Sequence, residues 1–173
     1  MTLIVEDGTG KSNANSFVSV ADASAYHTAR GNSAWAALAS DTIREQALIR
    51  ATDYMEQAYR NRWAGYRVTS TQSLSWPRSW VPMEDVDYIS TYYPNDEVPT
   101  LVANACAELA LKASTATLLE DQEQLVTSET VGPLSVEYDK YSGQAKRYAS
   151  VDAMLAVMFV NGGSSVQMKV VRR

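Results

Sequence analysis

The sequence predicts a mostly α protein: a small helical bundle with a long ordered loop, a short β-hairpin or arm and an extended C-terminal tail. Three observations lead there. Two stretches carry helical apolar spacing with cap signals, an aperiodic stretch rich in Trp, Tyr and Pro lies between them, and the charge changes sign near residue 140. At 173 residues, 46% hydrophobic and 20% charged, the chain suits one domain with appendages. The expected division is a helical domain with loop and β-arm insertions over 1–139 and a basic C-terminal arm, short helix plus tail, over 140–173.

The opening LIVE (3–6) is strand-like, and the polar DGTGKSNANS (7–16) after it is rich in turn residues. Ser19 with Asp22 forms a capping pattern ahead of VADASAYHTAR (20–30), and Gly31 stands where a helix C′ residue belongs. SAWAAL (33–38) reads as a single helical turn anchored by Trp35. Ser40 then caps the strongest helix, expected over 41–63, whose apolar set Ile43, Ala47, Ala51, Tyr54 and Ala58 keeps spacings of three and four. Residues 64–96 have no clear period but hold Trp76, Pro77, Trp80 and Pro82. Leaving such rings in water is costly, so an ordered excursion with a job is expected. Pro99 suits the first turn of a helix running to about Leu119, with Asp96 and Glu97 favourable to its dipole. TSETVGPLSVEYD (127–139) reads as two short strands about Gly132-Pro133. Residues 140–150 are expected to be mobile, VDAMLAVMF (151–159) to form a short amphipathic helix, and SVQMKVVRR (165–173) a terminal strand.

The net charge of −5 hides an asymmetry. Residues 1–139 hold 9 Lys and Arg against 19 Asp and Glu, a net of −10, whereas 140–173 hold 6 against 1, a net of +5. An acidic body lacks the basic footprint of most polyanion binders, and a basic tail suits docking on an acidic partner surface. No apolar run reaches the roughly 18 to 20 residues of a membrane span. The N-terminus has no basic leader or apolar signal region, so export by its own signal and a membrane partner are not expected. Cys106, the single cysteine, lies in LVANACAELAL as a small buried hydrophobe, which fits synthesis in a reducing cytoplasm.

The inventory of reactive groups points away from an enzyme and names no catalytic residue, cofactor or metal ligand. His27 is the only histidine and reads as a helix-surface or interface residue. Gly8-Thr9-Gly10-Lys11-Ser12 ends like a phosphate-binding loop, but Val5 stands where the motif needs glycine and NANS replaces the required helix, so a solvated turn is expected. Arginines interleave with aromatics over Tyr59–Arg67, as in single-strand binders. The structural alternative is that the arginines complement the end of the long helix while Trp63 and Tyr66 cap the core.

Several blocks together carry a resemblance. They are Ala14-Asn15-Ser16-Phe17-Val18-Ser19 with Ala23 and Tyr26, ALIRATDY (47–54), Leu74-Ser75-Trp76-Pro77-Arg78, Val98-Pro99 with ACAELAL (105–111), and VGPLSVEY (131–138). In this order and spacing the chain resembles the small head-to-tail adaptor proteins of tailed bacteriophages, many of which carry a DnaT-like single-stranded DNA-binding label. The resemblance implies a structural virion protein at the head–tail junction. It would form a homo-oligomeric ring, commonly of twelve copies, under the portal protein, extend the DNA channel and dock tail-completion or tail-tube proteins. Genomic double-stranded DNA would pass through without sequence recognition.

Within that reading the basic end, Val166, Met168, Lys169, Val170, Val171, Arg172 and Arg173, is expected to bind the portal. Trp76, Arg78, Trp80, Tyr92 and Tyr93 are expected at a subunit or tail interface, where aromatic and Arg side chains concentrate binding energy. The alternative function is a primosome-like single-strand DNA-binding protein with contacts from Arg60, Arg62, Trp63 and Arg67. A weaker rival is an enzyme built on carboxylates.

Overall fold

The structure, a computed structural model, describes residues 2–83, 86, 91–119, 128–131, 134–137 and 147–160. It is mostly helical. Helices α1 (Val20–Ala29), α2 (Ser33–Ala36), α3 (Asp41–Tyr59), α4 (Thr100–Ala113) and α5 (Ala149–Leu155, continued by a 3-10 turn over Ala156–Met158) are accompanied by two antiparallel ribbons. The ribbons are β1 (Tyr66–Arg67) with β2 (Arg78–Ser79), and β3 (Ser128–Val131) with β4 (Leu134–Glu137). The second is the hairpin expected about Gly132-Pro133, in the register Val131↔Leu134 to Ser128↔Glu137. The basic end at 161–173 and residues 140–146 lie outside the described residues, as does every proposed portal contact. Among the described residues no helix is long and apolar enough to cross a membrane.

The capping signals act as the sequence suggests. Ser19 Oγ accepts from Asp22 N at 3.1 Å, and Ser40 Oγ from Ile43 N at 3.3 Å. At the other end of α1, Gly31 adopts φ +68°, its N–H donates to Thr28 O, and Asn32 N–H donates to His27 O. That is the paired-carbonyl stop for which glycine is favoured. The strand-like opening forms only a single bridge, Val5↔Ser16, made by Ser16 N to Ile4 O and Glu6 N to Ser16 O, and Ile4 N is taken up by the side chain of Asn15.

Helix α3 packs along α4, with α1 on both and α5 against α4. Its buried face is wider than the expected row. Ala47, Leu48, Ala51, Thr52, Tyr54, Met55 and Tyr59 are buried, while Ile43 and Ala58 are half-buried. α3 also ends at Tyr59 rather than Trp63. Ala64 N–H donates to Met158 O and Val160 N–H to Arg62 O, so pairing with the chain after α5 draws residues 62–64 out of the helix. α4 ends at Ala113, short of Leu119, where Ser114 Oγ turns back onto Leu111 O and competes with the helix ladder. Tyr148, Val151, Leu155, Met158 and Phe159 all join the core, so residues 147–160 belong to the body rather than to a mobile stretch or a separate arm.

Two polar groups, His27 and Glu6, are buried. His27 is not a surface residue. It is 1% exposed, with Nε2 at 3.0 Å from Ala107 O and Nδ1 at 3.1 Å from Asn32 Nδ2, and it stacks near Trp35. A neutral imidazole donating to the carbonyl of α4 and accepting from the amide satisfies both nitrogens, and burial lowers its pKa below the ordinary 6.5 despite the nearby Glu108. Because the unfolded chain then binds a proton that the fold refuses, stability should be complete above about pH 7 and fall as the pH drops below 6.5 toward the folded value. Urea midpoints measured from pH 7.5 to 5 should decline more for the wild type than for His27→Gln; parallel declines would show that His27 does not titrate this way.

The loop Asp7–Ser12 is not simply a solvated turn. Its amides converge, but on the chain's own Glu6: Gly8 N and Gly10 N donate to Oε1 at 3.0 and 2.9 Å, and Lys11 N to Oε2 at 2.8 Å. Glu6 is 3% exposed, so a buried internal carboxylate occupies the place a phosphate would take. Cys106 is fully buried beside Thr52, as expected, and burial pushes its thiol up to about 11.

Candidate nucleic-acid interface

The arginine- and aromatic-rich stretch divides into an inner and an outer set. Past α3 the chain turns at Gly65, φ +66°, where an added Cβ would lie 2.2 Å from Ser79 O. β1 then pairs with β2, Tyr66 opposite Ser79 and Arg67 opposite Arg78. The connection between them folds back through Gln72, whose side-chain amide donates to Leu74 O and Pro77 O, and the Trp76-Pro77 peptide is cis.

The inner set is core. Trp63 and Trp76 are 3% and 0% exposed, edge-to-face at 5.7 Å, with Phe159 against Trp63 at 5.0 Å. Trp63 therefore cannot stack on a base, and Trp76 cannot meet a partner, in this fold. Arg78 is likewise withdrawn from the expected interface. Its Nε donates to Ala64 O at 2.7 Å, Nη2 to Gly65 O at 2.7 Å and Nη1 to Ser75 O at 3.2 Å. Burial lowers its pKa, yet the fork of donors matches the carbonyls around it. Glu56 fixes the facing loop by accepting from Ser75 N and Oγ at 2.6 and 2.7 Å.

The outer set is displayed. Tyr66 is 74% exposed rather than capping the core, Trp80 65% and Tyr92 39%. Between buried Arg78 and buried Val81 the chain places Trp80 outward in a left-handed conformation, φ 64°. Residues 81–83 and 91–93 pair through Met83 N to Thr91 O and Tyr93 N to Val81 O, both 2.9 Å, and this brings Tyr92 to Trp80. The two rings stand perpendicular, 5.2 Å apart. They bound a cleft of about 280 Å³ completed by Ser79, Tyr93, Pro94 and Asn95. Of the arginines, Arg60 and Arg62 are exposed and Arg67 is half-buried. Arg62 lies over Phe159 and pairs with Asp152 at 3.2 Å, and Arg67 donates to Gln72 O. Among the described residues no group of three His, Cys, Asp or Glu could hold a metal ion.

A family model described as "Putative DnaT-like ssDNA binding protein" matches residues 1–173, the whole chain. The chain belongs to this DnaT-like family. No curated protein and no solved structure matches it. The DnaT-like description names single-stranded DNA, the alternative among the sequence expectations, and says nothing of a virion adaptor. Of the four contacts expected for that alternative, the DnaT-like fold buries Trp63, half-buries Arg67 against Gln72 O and exposes Arg60 and Arg62, the latter paired with Asp152. The sequence does not point to Ser79 or Asn95, and it places Tyr66 over the core rather than in water. No periodic signal marks this segment: Arg78 and Val81 are buried, Ser79 is half-buried and Trp80 is exposed, and Arg, usually outward, is one of the buried residues.

Proposed function

We propose that this protein binds single-stranded nucleic acid, without catalysing a reaction, through the displayed aromatic surface of Tyr66, Trp80 and Tyr92. The observation that carries the reading is the presence of large rings held out in water beside a ribbon packed on the buried Trp63 and Trp76. Stacking on such rings tolerates any sequence and needs few cations, which accommodates the acidic body. A strand neutralised at only two or three phosphates should lose about ten-fold in affinity between 50 and 200 mM salt, a shallow dependence for a nucleic-acid binder. Titrating a labelled oligothymidylate of about 15 nucleotides against salt tests this. No binding at 50 mM salt would end the single-strand reading.

One observation favours a second reading, a portal-bound adaptor ring. The N-terminal loop, α1 and α4 enclose a cleft of about 440 Å³ lined by Glu6, Asp7, Asp22 and Glu97, suited to a basic segment of another chain rather than to DNA. In that reading double-stranded DNA slides past an acidic wall that does not hold it, and the end segment Lys169–Arg173 grips the portal. Electron microscopy of the protein mixed with portal, with and without residues 161–173, should show rings only for the full chain.

A further inference from the structure

We infer that the corner between Trp80 and Tyr92 is a pocket for one unpaired nucleobase, stacked on one ring and edge-on to the other, with Asn95 and Ser79 contacting its hydrogen-bonding edge. The inference rests on the single-strand reading and makes it specific.

Three observations converge on it. First, Trp80 occupies a left-handed φ that a β-carbon makes unfavourable, and its ring gains little burial in return. Its neighbours impose that conformation: Arg78 and Val81 are both anchored inward, and Val81 O is held by Tyr93 N. Second, the 84° angle between the rings leaves a floor and a wall. A flat ring laid on either face points its edge at the other, an arrangement favoured by the ring quadrupoles. An aliphatic side chain would use the volume but not the angle.

Third, the rim is polar and uncharged. Asn95 Nδ2 donates to Ser79 Oγ at 3.3 Å, a long bond between exposed groups that a ligand can replace at little cost. A primary amide offers both donor and acceptor, the complement of a base edge. No lining residue carries a charge, so the phosphate of the bound nucleotide meets no carboxylate in the cleft, unlike in the Glu6–Glu97 cleft.

The test uses the full chain and 15-nucleotide oligothymidylate and oligoadenylate. Trp80→Gly removes the ring while suiting the left-handed backbone, so misfolding does not explain a loss. It should weaken binding about ten-fold or more, as should Tyr92→Ala, whereas Trp80→Phe should keep affinity within about three-fold. Trp35, Trp63 and Trp76 are buried, so quenching of tryptophan emission by the strand should vanish in Trp80→Phe although binding persists. Asn95→Ala should change the ratio of the two dissociation constants. If the wild type binds while Trp80→Gly and Tyr92→Ala bind equally well, the pocket is wrong and the single-strand reading survives. An unchanged ratio in Asn95→Ala overturns the edge contact. No binding by the wild type overturns both.

Discussion

Arg78→Met should lower stability by about 3 to 5 kcal/mol, the largest loss expected from any single charged residue in this fold. The guanidinium gathers the carbonyls of Ala64, Gly65 and Ser75, tying the end of α3 to the loop that carries Trp76. Methionine fills much of the volume but leaves those buried acceptors without donors. Arg78→Lys should recover little, because one ammonium cannot reach acceptors spread across the planar fork. The midpoint of urea unfolding at constant slope reads the effect; a loss below about 1 kcal/mol would show that water replaces the guanidinium. The same pair of measurements separates framework from contact surface. Trp80→Gly should leave the midpoint nearly unchanged, whereas Arg78→Met should move it strongly.

Gly8→Ala should cost about 3 kcal/mol or more, against about 1 kcal/mol for Gly31→Ala. Both glycines have positive φ, so both variants carry the strain of a β-carbon in that region. They differ in surroundings. A Cβ on Gly8 would lie 1.8 Å from Asp96 O and 2.4 Å from its carbonyl carbon, backbone that cannot yield without moving the start of α4, whereas nothing lies within 4 Å of one on Gly31. Moving Gly8 would also break the amide cluster on Glu6 and leave a buried carboxylate short of donors. Thermal or urea unfolding of the two variants side by side checks this. Equal losses would mean that the loop yields and that only φ matters.

The periodic parts of the molecule were legible from local chemistry. Ser19, Gly31, Ser40 and Pro99 bound helices because their side chains or φ preferences act on neighbouring backbone, and Gly132-Pro133 marks a hairpin for the same reason. The candidate site was only partly legible. Trp80 and Tyr92 were named, but so were Trp63, Trp76 and Arg78, which the fold buries. Residue type does not tell which of the four aromatic rings faces water, and for Arg78 it points the wrong way.

From sequence alone follow the helical class, the positions of most helix starts, the hairpin and the charge contrast between body and end segment, all set by interactions between residues close along the chain. Tertiary structure decided the rest. The chain after α5, nearly a hundred residues beyond α3, ends that helix early by pairing with residues 62–64. It encloses Trp63 and Trp76, leaving Trp80 and Tyr92 outside. Burial depends on which distant segments meet, and long-range packing leaves no periodic mark on the sequence that takes part in it.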